Sequence, residues 1–375
     1  MRVVLSVDAL TPVLTGIGRY TWELTTGLPN LLGADKVRYF HQGRWVQAPA
    51  LLTQPIEPLS KNKKRTRRGL KISSPRWFRE LRLKWDCRGK VFHGPNYYLP
   101  PCTDIGIVTV HDLSVLKFPE THPAARLRKF EREFGDTIAR AAHLITDSEA
   151  IRQEVAEFLA WPADKITTVP LGVSAAFFPR PREVLVPYMS KYGLTGDGYV
   201  LCVSTLEPRK KIENLLQAYQ SLPQVLRSRF PLILAGSAGW LSDSLHEKID
   251  SYTRQGWLRY LGFVPEADLP ALYAGARLFA LPSSYEGFGL PVLEAMASGT
   301  PVVTSNRSSL PEITQGAALL ADPDDVGELR ELITKGLCDD GWRSAARSMG
   351  LTIAQGYSWE RCIRQTVSVY ERIVS

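Results

Sequence analysis

Two carboxylates, Glu286 and Glu294, bracket a glycine-containing loop in the run Pro282-Ser-Ser-Tyr-Glu286-Gly-Phe-Gly-Leu-Pro291-Val-Leu-Glu294-Ala-Met-Ala-Ser-Gly299. The run reads as a strand end, a loop and a helix start. Pro291 suits a first helical turn, where its missing N–H removes no bond. Gly287 and Gly289 permit close backbone approach to a ligand, and the helix N-terminus beyond them offers free N–H groups to a phosphate. A carboxylate on either side of a phosphate site can accept hydrogen bonds from two sets of sugar hydroxyls, those of a hexose and those of a ribose. A solvated capping loop would have no need of Gly, Phe and Gly together.

Other groups could serve the same chemistry. Arg209 and Lys210 are adjacent cations in Thr205-Leu-Glu-Pro-Arg-Lys. In a water-poor cleft such a pair stabilises a departing anion; the plainer alternative is a turn with solvated cations. His111 follows the apolar run Ile105–Val110 and so stands at a strand's carboxyl end, although a lone histidine is more often a satisfied structural residue. Gly16 and Gly18 follow the first apolar run and open a helical pattern. Thr21 stands where a third glycine would complete a dinucleotide fingerprint, so a structural tight turn competes with a phosphate loop. The only D-x-D, Asp322-Pro-Asp324, precedes a helical pattern at Val326–Leu337 and reads as helix capping. No His/Cys ligand cluster is present, so no metal site is expected, and positive charge with a helix dipole must act in its place.

These residues need strand ends to hold them. Short β-rich runs alternate with helical patterns: Val3–Val7 before Gly16–Leu28, Ile105–Val110, Leu144–Thr146 before Glu149–Leu159, and Ile166–Val169. Ile151, Val155, Phe158 and Leu159 mark one helical face. A second series runs through Tyr199–Val203, Asn214–Leu222, Leu232–Ala235, Arg259–Leu261, Leu278–Leu281 and Pro301–Val303. Such alternation predicts an α/β chain with parallel sheets, ligands lying beyond the strands' carboxyl ends. Between the series, residues 174–198 carry Pro179, Pro181, Pro187, Gly193, Gly196 and Gly198, linker-like punctuation. The expected arrangement is two Rossmann-like, doubly wound domains facing a central cleft that holds the site.

Composition sets the remaining bounds. At 375 residues, 44% hydrophobic and 22% charged, the chain suits two globular domains. No apolar run is long enough to span a bilayer, and Met1-Arg-Val-Val-Leu-Ser-Val-Asp8 reads as a buried first strand, not a signal peptide. Five scattered cysteines without C-x-x-C argue against a disulfide framework and for a reducing, cytoplasmic setting. The net charge of +8 is concentrated. Between Lys61 and Lys90 stand thirteen Lys or Arg against Glu80 and Asp86, which leaves the remainder slightly acidic. Trp77, Phe78 and Trp85 interleave with those charges, a composition suited to peripheral contact with an anionic membrane at its inner face. A solvated loop and an ordinary amphipathic helix form the plainer reading; no nucleic-acid motif accompanies the charge, so no nucleic-acid partner is expected.

Residues 258–313, from Leu-Arg-Tyr-Leu-Gly-Phe-Val-Pro-Glu through Glu286 and Glu294 to Leu-Pro-Glu-Ile, resemble family 4 of the retaining glycosyltransferases (glycosyl transferases group 1), whose signature is E-x₇-E. The resemblance extends through Gly16-Ile-Gly-Arg-Tyr, Val110-His-Asp-Leu, Thr146-Asp-Ser-Glu, Val169-Pro-Leu-Gly-Val, Thr205-Leu-Glu-Pro-Arg-Lys and Tyr357-Ser-Trp-Glu. It implies the GT-B fold, with an acceptor-binding domain over 1–178 and a nucleotide-sugar domain over 179–355. A C-terminal helix within 356–375 is then expected to pack back on the first domain. It implies Glu286 at the donor hexose near its 3- and 4-hydroxyls, and Glu294 at the ribose. Backbone N–H groups of Phe288, Gly289 and Leu290 would meet the hexose and diphosphate, which Arg209 and Lys210 would neutralise. His111 would hydrogen-bond the hexose, with its carbonyl near the reacting carbon, and Asp112 would orient or cap. The Gly16–Gly18 loop would cover the diphosphate, and main chain at Phe263 and Val264 would read the base. The family's usual form has Arg at position 205 and Asn or Gly at 211, where this chain has Thr205 and Lys211.

The Thr-Leu-Glu-Pro-Arg-Lys form with His-Asp-Leu upstream resembles bacterial mannosyltransferases of surface-polysaccharide (lipopolysaccharide) assembly. It implies GDP-mannose as co-substrate, a glycan or lipid-linked acceptor and no cofactor. Front-face substitution is the implied route, with Glu286 the only plausible nucleophile for a double displacement. A non-catalytic sugar- or lipid-binding protein, a sugar-nucleotide epimerase and a phosphorylase are the rival readings. No pyridoxal lysine site is recognisable for the last.

Overall fold

A computed structural model describes residues 1–54, 76–194, 198–239 and 243–375. Two sheets organise the chain. The first has seven strands: β1 (Val3–Ser6), β2 (Val37–His41), β3 (Arg44–Val46), β4 (Val91–Gly94), β5 (Ile105–Val110), β6 (Ala141–Thr146) and β7 (Ile166–Thr168), in the order β3-β2-β1-β4-β5-β6-β7. All pairs are parallel except the β2–β3 hairpin at the edge. The second comprises β8 (Val200–Val203), β9 (Leu232–Ala235), β10 (Leu258–Tyr260), β11 (Leu278–Leu281), β12 (Val302–Ser305) and β13 (Leu319–Ala321), ordered β10-β9-β8-β11-β12-β13 and wholly parallel. This is the expected pair of doubly wound Rossmann-like halves in a GT-B arrangement. Strands buried on both faces read as unbroken apolar runs such as Leu278–Leu281, every residue of which is buried.

The strand order matters for chemistry. In the second sheet it reverses between β8 and β11, in the first between β1 and β4. Ligand crevices of open parallel sheets form at such switch points. The loops after β8 and β11 carry Arg209, Lys210 and Glu286, and the loop after β1 leads into helix Gly16–Leu32, whose first turn holds Gly16 and Gly18.

Several elements depart from the sequence reading. The 174–198 stretch is not plain linker: helix Arg182–Lys191 lies inside it, tolerating Pro187, and packs on helix Leu269–Gly275. On helix Glu149–Phe158, Ile151 and Val155 are buried but Phe158 is exposed, because the helix ends there. Within the basic segment, helix Arg76–Cys87 presents Trp85 and Leu81 outward, at 76% and 58% exposure. The proposed membrane contact falls partly on residues 55–75, which lie outside the described residues. Among the described residues no helix is long and apolar enough to cross a membrane.

The chain passes between the halves twice. Val173 N–H donates to Tyr357 C=O, and the isolated bridge Val173–Ser358 sets the two crossings side by side. Gly172 is required there, because a Cβ would meet the Trp359 backbone at 2.1 Å. After the second crossing, helix Trp359–Val374 returns to the first sheet. It lies on helix Gly16–Leu32, with Ile363 packed where a Cβ on Gly27 would stand. Beneath it, His93 Nδ1 meets the Tyr370 hydroxyl at 2.6 Å and His93 Nε2 meets Thr109 Oγ1 at 2.8 Å. Burial holds this imidazole down at about 3, so it is neutral.

Candidate active site

The second sheet supplies a charged lip. Gly289 has φ +102°, a left-handed conformation that β-carbon-bearing residues avoid, and it starts helix Leu290–Ala297 with Pro291 in the first turn. Ser308 and Ser309 hydroxyls donate to Glu286 C=O at 2.6 and 2.9 Å, and Ser309 also to Phe288 C=O at 2.9 Å, which fixes the loop from behind. Glu286 is buried and accepts from Lys210 Nζ at 2.6 Å, with Arg209 Nη1 at 3.8 Å. Burial pushes the Glu286 carboxyl up, but Lys210 and Arg209 outweigh it and hold it below its usual value. Arg209 spans the site. Its guanidinium donates to Glu207 at 2.7 Å and to Tyr285 C=O, and its Nε is buried with no protein acceptor.

Glu294 differs from Glu286 in every respect but proximity. It is buried inside the helix beside Tyr273, and burial raises its carboxyl to about 7 against the opposing pull of Arg19. Arg19 comes from the first half, just beyond Gly16 and Gly18, and pairs with Glu266 at 2.7 Å. Gly16 sits against Leu290, 3.6 Å from where its Cβ would be, so the glycine turn does face the helix start. Val264 is buried and Phe263 58% exposed in the loop after β10.

The first sheet supplies a lip whose polar groups bond one another, with Asp147 Oδ1 left buried without a protein donor. His111 is not presented as a free donor, contrary to expectation. Its Nε2 donates to Pro95 C=O at 2.8 Å and its Nδ1 meets Asp147 Oδ2 at 2.6 Å. A carbonyl accepts only, so the second proton of the pair is shared between Nδ1 and the carboxylate. Burial alone would lower the imidazole; Asp147 and Pro95 outweigh it and raise it, while burial raises Asp147 in turn. The His111 carbonyl points to Gly287, where a Cβ would stand 2.0 Å away. Gly287 therefore permits the close contact between the lips. Asp112 is the expected capping residue: it accepts from Ser114 N–H at 2.8 Å and Ser114 Oγ at 2.7 Å. Burial pushes its carboxyl up, yet Arg209 across the cleft and these hydrogen bonds bring it to about 2.

Further contacts join the lips. Ser148 Oγ donates to Gly287 C=O at 2.8 Å, and the Tyr285 hydroxyl donates to Glu154 at 2.6 Å while accepting from Leu113 N–H at 3.0 Å. Glu312 accepts from Glu149 N–H and Ala150 N–H at 2.9 and 3.0 Å. Asp147, Ser148 and Glu312 carry no local signal of these contacts, because their partners His111, Gly287 and Glu149 are distant in sequence.

The D-x-D does not cap the following helix, contrary to the reading from sequence. Asp325 caps helix Val326–Cys338, accepting from Glu328 N–H at 2.9 Å. Asp322 and Asp324 pair with Arg307 at 2.6 and 2.8 Å, and Asp324 also with Lys211 at 2.8 Å. Lys211 has φ +52°, which explains why Asn or Gly suits that position in similar chains. Among the described residues no group of three His, Cys, Asp or Glu is placed to hold a metal ion.

Comparison with known proteins shows the family and the fold. The glycosyl transferases group 1 model matches residues 188–350. The chain is 40% identical over 379 residues to the O-antigen chain mannosyltransferase B of Escherichia coli, covering 99% of this chain and all of that protein. It is 31% identical to the serotype-specific mannosyltransferase WbdA of Escherichia coli over 75% of this chain and 36% of that one. WaaG, a glycosyltransferase involved in lipopolysaccharide biosynthesis, superposes with a TM-score of 0.72 at 17% identity, over 98% of this chain and 99% of that one. Anabaena HepE in complex with UDP-glucose superposes at 0.74 and 18% identity, over 98% and 100%. At such identities the likeness is one of fold.

Proposed function

This chain belongs to the glycosyl transferases group 1, and from that premise we propose that it moves mannose from GDP-mannose, with retention and without a metal ion, to a saccharide or lipid-linked acceptor of bacterial surface-polysaccharide synthesis. The observation that carries the reading is the convergence of Lys210, Arg209 and Glu286 on one helix start at the β8/β11 switch point. The identity to an O-antigen mannosyltransferase over the whole chain supports the choice of sugar.

In this reading the diphosphate takes the place of Glu286 at the Lys210 ammonium and meets N–H groups of Phe288, Gly289 and Leu290. Glu286 is released toward the hexose hydroxyls. Arg209 and Lys210 stabilise the charge that develops on the leaving diphosphate, so that cations on the protein serve where other transferases use a divalent metal. Glu294 accepts from the ribose, and main chain around Val264 meets the base. The Gly16–Gly18 turn covers the diphosphate. His111, fixed by Asp147 and Pro95, contributes the position of its carbonyl at the reacting carbon. A donor-phosphate oxygen assists removal of the acceptor proton. The basic sequence around exposed Trp85 and Leu81 suits an anionic membrane surface where a lipid-linked acceptor resides.

The test is to incubate the protein with a panel of nucleotide-sugars and acceptors in EDTA, following released nucleotide and the anomeric configuration of the product. GDP-mannose turnover with retained configuration is expected. Binding without turnover across the panel would make the protein a sugar-binding one, and a covalent sugar on Glu286 would replace front-face substitution by double displacement.

A further inference from the structure

Helix Glu149–Phe158 belongs to the first half, yet half of its N-terminal cap comes from the second. Ser148 Oγ accepts from Ile151 N–H at 3.3 Å, the ordinary capping bond. The N–H groups of Glu149 and Ala150, which a helix leaves without partners of its own, are taken by the two oxygens of Glu312. Glu312 sits in helix Leu310–Thr314, directly after Ser308 and Ser309, whose hydroxyls hold the carbonyls of Glu286 and Phe288. One short segment thus grips the first half at one end and the catalytic loop at the other. When the cleft opens, Glu312 and both N–H groups must return to water together, while Ser308 and Ser309 travel with the loop.

We propose that Glu312 is a positioning residue: its carboxylate caps the opposing half's helix on closure and so couples closing of the cleft to placement of the Glu286 loop. The carboxylate is negative, the helix end carries positive partial charge, and the bonds are charge-assisted. Both favour the closed arrangement in which Gly287 lies on the His111 carbonyl. Glu312 needs no contact with donor or acceptor to do this. The inference rests on the transferase reading above.

The test compares Glu312→Ala, Glu312→Gln and Glu149→Pro in the full chain. Proline at the first helical position removes one of the two N–H donors without disturbing the helix, because Ser148 is already extended at φ −142°, ψ 159°; Glu149→Ala controls for loss of the side chain. Glu312→Ala is expected to lower kcat for transfer by roughly 10–100-fold, a loss of about 1.4–2.7 kcal/mol at the barrier. The Kd for GDP alone should move less than about threefold, and Glu312→Gln should recover part of the loss. Glu149→Pro should lower kcat in the wild-type background and do nothing further beside Glu312→Ala. Small-angle scattering should show the donor-bound variant more extended than the donor-bound parent. Unchanged kcat in Glu312→Ala, or additive losses in the double variant, would overturn the proposal while leaving the transferase reading intact. Inactivity of the unaltered protein toward every nucleotide-sugar would instead overturn that reading.

Discussion

The two lips of the cleft are built from opposite kinds of polar group. On the second half, Glu286, Lys210 and Arg209 form ion pairs that an incoming anion can exchange, and Arg209 keeps a buried N–H without a protein acceptor. On the first half, His111, Asp147 and Asp112 bond Pro95, Ser114, Tyr97 and one another, although Asp147 Oδ1 is also buried without a protein donor. One lip holds charge ready for a ligand; the other holds shape. The difference teaches that a histidine at a strand's carboxyl end, here His111, can have both ring nitrogens engaged by the protein while facing the charged lip.

Breaking a shape group should therefore cost stability first. Asp147→Ala strands a buried imidazolium or forces its neutralisation, and a loss of about 3–5 kcal/mol in urea unfolding is expected. A loss confined to activity would assign Asp147 to the charged lip instead. Breaking a charge group should do the reverse. Glu286→Gln keeps an acceptor for Lys210, so the thermal midpoint should change little while transfer falls roughly 10²–10³-fold. Full transfer activity in that variant would remove Glu286 from the site.

Glu294 tests the division by pH. Its carboxyl is raised to about 7 from an ordinary 4.5, chiefly by burial. The protonated form is thus favoured in the folded state. Its contribution is complete below about pH 4.5 and fades as pH rises through about 7, about 3 kcal/mol in all. Glu294→Gln should flatten that part of the stability profile between pH 5 and 8. Affinity for GDP should rise over the same interval in the parent, as the carboxylate forms, and not in the variant. The smallest effect belongs to the contact between lips. Gly287→Ala drives a methyl into the His111 carbonyl, and about 1–3 kcal/mol against closure is expected. Measured as kcat/KM, that is roughly a 10–100-fold loss with unfolding nearly unchanged.

The charged lip was legible in the sequence because its parts are local. Glu286, the glycines, Pro291 and Glu294 share one loop and helix, and Leu278–Leu281 announces the strand before them. Strand cores β5, β9 and β11 were read to the residue for the same reason. The lip of the first half was not legible, since His111 and Asp147 follow two neighbouring strands, and Glu312 caps a helix that precedes it by a whole domain. Local pattern also misled at Asp322 and Asp324, where a cap signal one residue away, Asp325, competed with partners on Arg307 and Lys211. The hairpin β2–β3 and strand β4 escaped because Val37–His41 and Val91–Gly94 are short and mixed in polarity. Cys87 and Cys102, with sulfurs 3.6 Å apart, meet only through the folding of the first sheet.

The second crossing between halves has a consequence for how the molecule comes into being. The first half is synthesised first, but helix Trp359–Val374 covers Gly27, closes over His93 and supplies Tyr370 to it. Until residues 359–374 leave the ribosome, that face stays wet and His93 Nδ1 lacks its Tyr370 partner, though Nε2 already has Thr109. The first sheet's half is thus completed only after every strand of the second sheet, and a stop codon ahead of Trp359 would leave it unfinished while sparing those strands.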